Sequence, residues 1–337
     1  MTDADDALVE EIETLGATLA EARRQVARRV IGQETVVELT LNALLCGGHG
    51  LLVGAPGLAK TRLVETLGRV MGLDAGRVQF TPDLMPADIL GAEVLEEAEH
   101  GGGRAFRFIE GPIFCQLLLA DEINRASPRT QSALLQAMQE RIVSVAGANR
   151  PLPAPFHVLA TQNPIEQEGT YPLPEAQLDR FLLQIDVDFP TLDAERAILL
   201  ATTGTEDAAA EPCFTADSLI AAQRLVRRMP VGESVMEAIL RLVRSARPGE
   251  PDASPTLAGA VAFGPGPRAA QALMLAVRAR ALLSQRLAPS VSDVEALARP
   301  ALKHRMALTF AARAEGRTLE QVIDGLVTEA LSLEAVA

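Results

Sequence analysis

The stretch GAPGLAKT at Gly54–Thr61 is the strongest constraint on how this chain folds. It follows the apolar run Leu51–Val53 directly and precedes RLVETLGRVMG, whose apolar residues recur at helical spacing. A glycine-rich turn between a strand and a helix presents successive backbone N–H groups to an anion, and the helix N-terminus adds a favourable dipole. Gly54 and Gly57 allow the close backbone approach that side chains would block. The stretch therefore predicts a strand–loop–helix unit that cradles phosphates.

Within this loop, Lys60 is expected to place its charge on the outer phosphates of a nucleotide, and the Thr61 hydroxyl is expected to bind Mg²⁺. The expected cofactors are ATP and Mg²⁺. The general pattern has glycine directly before the lysine, whereas this chain has Ala59, which we expect in ordinary helical geometry because α-helix begins there. A plain glycine turn with a surface lysine is the alternative. The expected cofactor-binding residues of the loop are Gly54, Ala55, Pro56, Gly57, Leu58, Ala59, Lys60, Thr61 and Arg62.

Composition narrows the class of protein. The chain has 337 residues, enough for two domains, and no run that resembles a membrane span. Its N-terminus is acidic, unlike a signal peptide, and its three cysteines match no metal or disulfide spacing, so a cytoplasmic protein is expected. The net charge of −13, the absence of tryptophan and the single tyrosine disfavour general nucleic-acid binding.

The pattern of elements predicts an α/β fold. An N-terminal helix is followed by short apolar strands that alternate with helices, which is typical of a parallel sheet with helices on both faces. We assign residues 1–190 to this core and residues 191–337 to an α-helical domain. The predicted strands are Leu51–Val53, Arg77–Phe80, Gln116–Ala120, His157–Thr161 and Phe181–Val187. The predicted helices of the second domain are Arg196–Thr202, Ala216–Met229, Ser234–Ala246, Arg268–Ser284 and Ser292–Arg305.

Two further motifs follow predicted strands. In CQLLLADEIN an apolar strand ends at Asp121 and Glu122, where open α/β sheets bind ligands. Asp121 would hold Mg²⁺, and Glu122 would orient and deprotonate an attacking water. These acids could instead cap the next helix, although Ser127 and Pro128 suit that task better. In FHVLATQNP the strand ends at Asn163, which could hold the water near the γ-phosphate or simply form a turn before proline.

The order of GAPGLAKT, LLLADEINRA, ATQNP, LPEAQLDRF and GPGPRA resembles the AAA+ ATPases, and RVQFTPDLMPADILG and EGPIF are similar to the wording of their MoxR family. The resemblance extends from about Val30 to about Met306, and alanine at position 59 is usual in MoxR-type loops. It implies an AAA+ P-loop core with a parallel five-stranded sheet flanked by helices, followed by an all-α lid domain.

The resemblance also implies roles for individual residues. Arg180 would be the arginine finger that reaches into a neighbouring subunit's ATP, and Arg268 would be the sensor 2 arginine of the lid. A cation at the start of a helix is unfavourable unless an anion is near, which suits Arg268. Solvated surface arginines are the alternative for both. The remaining matches are Lys60 and Thr61 in Walker A, Asp121 and Glu122 in Walker B, Asn163 in sensor 1, and Gly32 and Gln33 near the adenine.

Two hairpin insertions are predicted, near residues 93–110 around Gly101–Gly103 and near residues 141–155. In related rings such hairpins face the central pore or a partner. Plain surface hairpins are the alternative, and the sequence does not decide between them.

The resemblance implies an ATPase that hydrolyses ATP to ADP and phosphate. It would act as a chaperone-like motor on a protein client, in a homo-oligomeric ring that is usually a hexamer, with a partner carrying a von Willebrand factor A domain. One alternative is a DNA-remodelling motor, which the acidity and the scarcity of aromatic residues disfavour. The other is a slow ATP-dependent assembly switch, which the presence of Glu122 disfavours.

Overall fold

The structure is a computed structural model that describes residues 3–97, 104–165, 169–203, 209–257 and 259–332. Its strands are β1 (Gly50–Val53), β2 (Ala75–Gln79), β3 (Gly91–Glu97), β4 (Arg104–Glu110), β5 (Leu117–Asp121), β6 (Ile142–Val145), β7 (Ala148–Pro151), β8 (His157–Gln162), β9 (Leu183–Asp186), β10 (Val261–Phe263) and β11 (Ala307–Leu308). Its helices are α1 (Asp3–Ala27), α2 (Glu34–Leu45), α3 (Lys60–Val70), α4 (Pro86–Leu90), α5 (Pro128–Glu140), α6 (Glu175–Leu178), α7 (Leu192–Thr203), α8 (Ala216–Arg228), α9 (Glu233–Ser245), α10 (Pro267–Leu283), α11 (Val291–Leu302), α12 (Phe310–Ala314) and α13 (Leu319–Ser332).

The central sheet has five strands in the order β2-β5-β8-β1-β9, and every neighbouring pair is parallel. Each strand coincides with one of the five predicted apolar runs, so the predicted parallel sheet is confirmed. β5 and β8 lie inside the sheet, and their apolar residues are buried on both faces, as continuous apolar runs require. Since all five strands run the same way, their carboxyl ends meet at one edge of the sheet.

Helix α5 begins where the sequence predicted, with Ser127 as its N-cap and Pro128 in its first turn. The Ser127 hydroxyl oxygen accepts a hydrogen bond from the Thr130 N–H. A side-chain acceptor satisfies one of the N–H groups that a helix N-terminus leaves unpaired. This cap leaves the acids of the preceding DEIN segment available for another task.

Both predicted hairpins are present as antiparallel pairs, β3 with β4 and β6 with β7. The two hairpins touch, because the Arg150 guanidinium stacks 3.8 Å from the Phe108 ring centroid and lies 3.7 Å from the Glu93 carboxylate. The predicted turn at Gly101–Gly103 lies outside the described residues.

The C-terminal domain is helical, as predicted, and α12 and α13 extend it beyond the predicted helices. It also contains a two-stranded antiparallel ladder, β10 with β11, which the sequence pattern did not indicate. Strands of three and two residues are too short to show the alternation of polar and apolar residues that predicts a strand.

The helical domain is fixed to the core by Arg305, which is buried. Its guanidinium donates to the Asp179 carboxylate over 2.7 Å and to the carbonyls of Phe181 and Leu182 over 2.7 and 3.1 Å. A buried charge is tolerated only with a partner and satisfied hydrogen bonds. One continuous hydrophobic cluster also joins α1 and α2 to the helices of this domain. The two domains therefore pack as one body around the start of β9.

The three histidines in the described part of the chain are all buried. His49 accepts a hydrogen bond from the Val158 N–H, and one ring nitrogen of His157 lies 2.8 Å from the Gly48 carbonyl, while His304 lies 3.0 Å from the Phe181 carbonyl. Burial lowers the pKa of His49 to about 3, of His157 to about 4 and of His304 to about 3. The folded protein therefore holds these rings neutral.

These histidines predict a loss of stability in mild acid. Their pKa values are lower in the folded chain than the ordinary 6.5, so the unfolded chain takes up protons first as the pH falls from about 6.5 to about 4. Each ring is expected to cost about 2 kcal/mol of unfolding free energy at pH 5. Urea unfolding at pH 7, 6 and 5 measures the loss. His304→Gln, which keeps a donor for the Phe181 carbonyl, should reduce it by about one third, and an unchanged pH dependence would contradict this explanation.

Candidate functional site

The glycine-rich loop connects β1 to α3, and its glycines are required by the backbone. A Cβ atom at Gly54 would lie 2.4 Å from the Val187 carbonyl oxygen, and Gly57 has φ +82°. The Lys60 ammonium donates to the carbonyls of Gly54 and Ala55 over 2.6 and 3.2 Å, which holds the loop around it. The loop therefore presents a cationic turn at the N-terminus of a helix.

Ala59 corrects the prediction of ordinary helical geometry at that position. It has φ 56° and ψ 20°, in the left-handed region, and it is the N-cap of α3. That conformation costs roughly 1–2 kcal/mol for a residue with a Cβ atom. The cost explains why glycine is general at this place in phosphate loops, since glycine adopts positive φ freely.

The two acids lie at the carboxyl end of β5, where the neighbouring strand β8 fixes them. The Thr161 hydroxyl donates to Asp121 Oδ1 over 2.7 Å and accepts from the Glu122 N–H over 2.8 Å. Glu122 has φ 56° and ψ 50°, a second left-handed residue at this edge. This backbone turn places the two carboxylates side by side at the end of one strand.

Side chains from β2 and from the turn after β5 hold the free oxygens of these acids. The Arg77 guanidinium donates to Asp121 Oδ2 over 2.7 Å, while Gln79 and Arg125 donate to Glu122 Oε2 over 2.8 and 3.0 Å. The sequence motifs predicted no role for Arg77, Gln79 or Thr161. The available signal was their position, because all three lie near the carboxyl ends of strands that neighbour β5.

The loop and the acids face one cavity of about 400 Å³. Burial lowers the pKa of the Lys60 ammonium, and the carboxylates of Asp121 and Glu122 oppose that shift. The cavity is lined by Pro56, Gly57, Leu58, Ala59, Lys60, Thr61, Arg62, Arg77, Asp121, Glu122, Thr161 and Asn163. It is thus a cationic space with two carboxylates at one wall.

The donors in this cavity fit Mg²⁺. The Thr61 hydroxyl and the Asp121 carboxylate are hard oxygen ligands of the type that this ion prefers, and Mg²⁺ commonly takes one or two protein ligands together with phosphates and water. In the described ranges, no three His, Cys, Asp or Glu side chains are grouped so as to hold a metal without other ligands. A metal held by Thr61 and Asp121 would therefore take the rest of its coordination from phosphate oxygens and water.

Asn163 directly follows β8 and forms the turn that the sequence predicted as one alternative. Its side-chain oxygen accepts a hydrogen bond from the Ile165 N–H over 3.1 Å, which is the turn expected of asparagine before proline. The residue is also buried and lines the cavity. The turn therefore fixes the amide beside the acids.

A second, largely apolar cavity of about 280 Å³ adjoins the first and shares four residues of the loop with it. Gln33 lines it and donates to the Asp188 carbonyl over 2.9 Å. Gly32 does not line it. A Cβ atom at Gly32 would lie 2.4 Å from Ala194 Cβ, so this glycine lets α7 approach. The lining residues are Arg28, Arg29, Ile31, Gln33, Gly57, Leu58, Ala59, Arg62, Pro190, Ile198, Ala201 and Thr202.

Arg180 and Arg268 lie together in a third cavity of about 250 Å³, and neither lines the cavity that contains Lys60. Arg180 donates to the Leu135 carbonyl, and Arg268 lies 3.7 Å from the Asp179 carboxylate, which also holds Arg305. The structure therefore brings the two predicted arginines to each other and places both away from the phosphate-binding loop of their own chain.

Comparison with known proteins agrees with this geometry. Residues 49–183 match the ATPase family associated with various cellular activities (AAA), and residues 257–326 match the AAA lid domain. A crystal structure from Cytophaga hutchinsonii, provisionally described as an ATPase, superimposes with a TM-score of 0.87 at 34% identity, covering 97% of this chain and 98% of that one.

Relatives of known sequence span most of the chain. Chaperone MoxR1 of Mycobacterium tuberculosis is 42% identical over 91% of this chain and 80% of its own length. Protein MoxR of Paracoccus denitrificans is 33% identical over 83% of this chain and 86% of its own length. The uncharacterised protein YeaC of Bacillus subtilis is 39% identical over 92% of this chain and 93% of its own length.

The left-handed Ala59 predicts that Ala59→Gly stabilises the protein. Relief of positive-φ strain should exceed the added entropy of the unfolded chain and give a net gain of roughly 0.5–1 kcal/mol. Urea unfolding measures it. Ala133→Gly inside α5 is the matched control and should instead destabilise by about 1 kcal/mol. A loss of stability in Ala59→Gly would show that the alanine is not strained.

Proposed function

The chain belongs to the MoxR family of AAA+ ATPases, and from this premise we propose that it hydrolyses ATP to ADP and phosphate in order to remodel or mature a protein client. The observation that carries the proposal is the cavity in which Lys60, Thr61, Asp121, Glu122 and Asn163 meet. Chain positions far apart in the sequence supply the cation, the metal ligands, the base and the amide that phosphoryl transfer to water needs.

ATP would occupy the two adjoining cavities. The N–H groups of the glycine-rich loop and the Lys60 ammonium would hold the phosphates, and the apolar cavity lined by Ile31, Leu58 and Ile198 suits the adenine. Thr61 and Asp121 would hold Mg²⁺, which neutralises charge on the phosphate oxygens when bound. Gln33 is a direct lining residue, whereas Gly32 acts on the pocket by letting α7 close over it.

Glu122 would act as the general base. Its carboxylate accepts the proton of a water whose oxygen attacks the γ-phosphorus, and the bond from that phosphorus to the β–γ bridging oxygen breaks. Asn163 is held beside it by the turn at Ile165 and would orient that water. Gln79 and Arg125 hold the Glu122 carboxylate in its present position and so define the direction in which it faces.

Arg180 and Arg268 would complete the site of a neighbouring subunit. Both lie in a cavity separate from the Lys60 cavity of their own chain, and with Arg305 they make it strongly cationic around the single carboxylate Asp179. Such a surface suits the phosphates of an ATP held by another copy. Arg268 would thus bind nucleotide, as its position in the lid resemblance implies, and its target would be the neighbour's ATP.

Exposed apolar side chains support self-association near the nucleotide. Phe189 and Leu192 are 73% and 65% exposed, and Leu199 and Leu200 of α7 are 62% and 79% exposed. They belong to the same segment as Ile198, which lines the apolar cavity. Several large apolar side chains exposed within one short segment are more than a monomer surface needs, and they favour a protein interface. We assign it to a second copy, in a ring that the family resemblance indicates is a hexamer.

A protein client fits the chain better than DNA. A relative is named as a chaperone, the net charge is −13, and Leu95 and Phe106 form an exposed apolar cross-strand pair on the first hairpin. A partner with a von Willebrand factor A domain follows from the family resemblance. The three free cysteines suit a reducing cytoplasm.

Among the helices that the structure describes, no apolar stretch reaches the length of a membrane span.

Two other functions remain distinguishable by assay. A DNA-remodelling motor should hydrolyse ATP faster when single-stranded DNA is added, and a slow assembly switch should form rings with ATP while turning over hardly at all. The proposed motor should show steady turnover that DNA leaves unchanged.

Glu122→Gln should separate ATP binding from hydrolysis. Glutamine keeps an acceptor for Gln79 and Arg125 but cannot take the proton, so turnover should fall by about 10²–10⁴ while ATP affinity is retained. Steady-state turnover and calorimetric binding measure the two effects. Glu65→Gln, at an exposed position on α3, is the control and should leave both unchanged. Near-native turnover in Glu122→Gln would remove Glu122 from the base role.

Mixed rings should show that Arg180 acts on the neighbour. Lys60→Ala subunits lose the charge that holds ATP but keep Arg180, whereas Arg180→Ala subunits hold ATP but lack the finger, whose loss costs about 10³–10⁵ in rate. Each variant alone should be almost inactive. A mixture should regain part of the activity, because some interfaces pair an intact ATP site with an intact arginine.

Both variants must first be shown to assemble, by light scattering with ATP present. Mixtures that assemble yet stay as inactive as the separate variants would speak against a finger supplied in trans. Full activity of Arg180→Ala alone would exclude Arg180 from catalysis and direct attention to Arg125 and Arg129.

A further inference from the structure

We propose that Arg77 competes with Mg²⁺ for Asp121 Oδ2, so that an ion binding there must displace the Arg77 guanidinium. This inference rests on the proposed function, because it concerns the ion that accompanies ATP. It gives Arg77 a role in setting how much metal the site requires.

The two oxygens of Asp121 are held in different ways. Oδ1 accepts from the Thr161 hydroxyl, which is buried and also accepts from the Glu122 N–H, so that side of the carboxylate is part of the fixed interior. Oδ2 accepts from the Arg77 guanidinium over 2.7 Å, and both side chains line the cavity that contains Lys60. The oxygen left for a metal, or for a water bound to it, is therefore the one that Arg77 holds.

Arg77 is placed so that it can leave. It lies on β2, the edge strand of the sheet, and its side chain is 51% exposed. An ion pair with this exposure is weak, since water and salt screen it. The contrast is Arg305, whose side chain is 3% exposed and bonded to Asp179 and two carbonyls. Arg305 serves as a fixed anchor, whereas Arg77 holds Asp121 reversibly.

A guanidinium and a divalent ion cannot share Asp121 Oδ2 without strong repulsion between like charges. Each satisfies the same need, because a carboxylate facing a confined cavity requires a cation or a donor. Arg77 and Mg²⁺ are therefore alternative partners of Asp121 Oδ2, and binding of the ion requires the guanidinium to leave.

The contact between Arg77 and Asp121 is also connected to Glu122, the proposed general base. The Arg77 nitrogen that donates to Asp121 also donates to the Gln79 side-chain oxygen over 2.9 Å, and Gln79 donates to Glu122 Oε2. When Arg77 leaves, Gln79 loses the donor that orients its amide. The metal at Asp121 thereby alters the group that holds Glu122, which ties base orientation to metal loading.

The test measures metal affinity and does not depend on turnover. Mn²⁺ serves as the probe, titrated into the protein–ADP complex and followed by electron paramagnetic resonance. Arg77→Met and Arg77→Gln remove the competing guanidinium, so Mn²⁺ should bind about three- to tenfold more tightly, the size expected of one exposed charge-assisted hydrogen bond. Arg69→Met removes the same charge at an exposed position on α3 and should leave Mn²⁺ affinity unchanged.

The affinity for ADP in the presence of EDTA is the control without metal. If Arg77 contacts Asp121 and not the phosphates, this affinity should stay within about twofold of the wild-type value in both Arg77 variants. Unchanged Mn²⁺ affinity, or an equal gain in Arg69→Met, would overturn the proposal. A tenfold loss of metal-free ADP affinity would also overturn it, because Arg77 would then be a phosphate ligand. Failure of the wild-type chain to bind ADP at all would refute the proposed function instead.

Discussion

The parallel pairing of β5 with β8 is the interaction on which the site depends. It brings the Thr161 hydroxyl to Asp121 and to the Glu122 N–H, and it places Asn163 one residue beyond the end of the neighbouring strand. β1 lies on the other side of β8 and delivers the glycine-rich loop to the same edge. Since the carboxyl ends of parallel strands lie at one edge of the sheet, three segments that are distant in sequence line one cavity. The proximity of the Lys60 ammonium, the two carboxylates and the Asn163 amide follows from that topology.

A second constraint is the contact between the helical domain and the segment before β9. Arg305 is bonded to the Asp179 carboxylate and to the carbonyls of Phe181 and Leu182. That contact fixes the backbone on either side of Arg180 and brings Arg268, at the start of α10, into the same cavity. The chain thus has two separate cavities, one lined by Lys60, Asp121 and Glu122 and the other by Arg180 and Arg268. In the proposed function, the first cavity would bind nucleotide and the second would offer arginines to a nucleotide held by a neighbouring subunit.

Much of this could be predicted from the sequence, because the relevant signals are local. Five apolar runs predicted the five strands, and the motifs around Lys60 and around Asp121 and Glu122 predicted residues that line one cavity at the carboxyl edge of the sheet. Ala59 was wrongly predicted because alanine is a good helix former, and only the backbone shows that the loop turns through positive φ there.

The remaining residues depend on strand order, which a sequence does not display. Arg77 and Gln79 meet the acids because β2 is the neighbour of β5, although more than 30 residues separate these strands. The same holds for the clustering of Arg180 with Arg268, which results from domain packing across β9. Motif spacing therefore located the groups along the chain, while the sheet and the domain contact determined which of them share a cavity.

The central claim is that one chain contains only part of a working ATPase site, and the concentration dependence of turnover tests it most directly. Specific activity should be measured at saturating ATP and Mg²⁺ over a wide range of protein concentration, with the oligomeric state followed by light scattering in the same samples. The account predicts that specific activity rises from a very low value as monomers associate and levels off once assembly is complete. Full specific activity in samples that contain only monomers would contradict it.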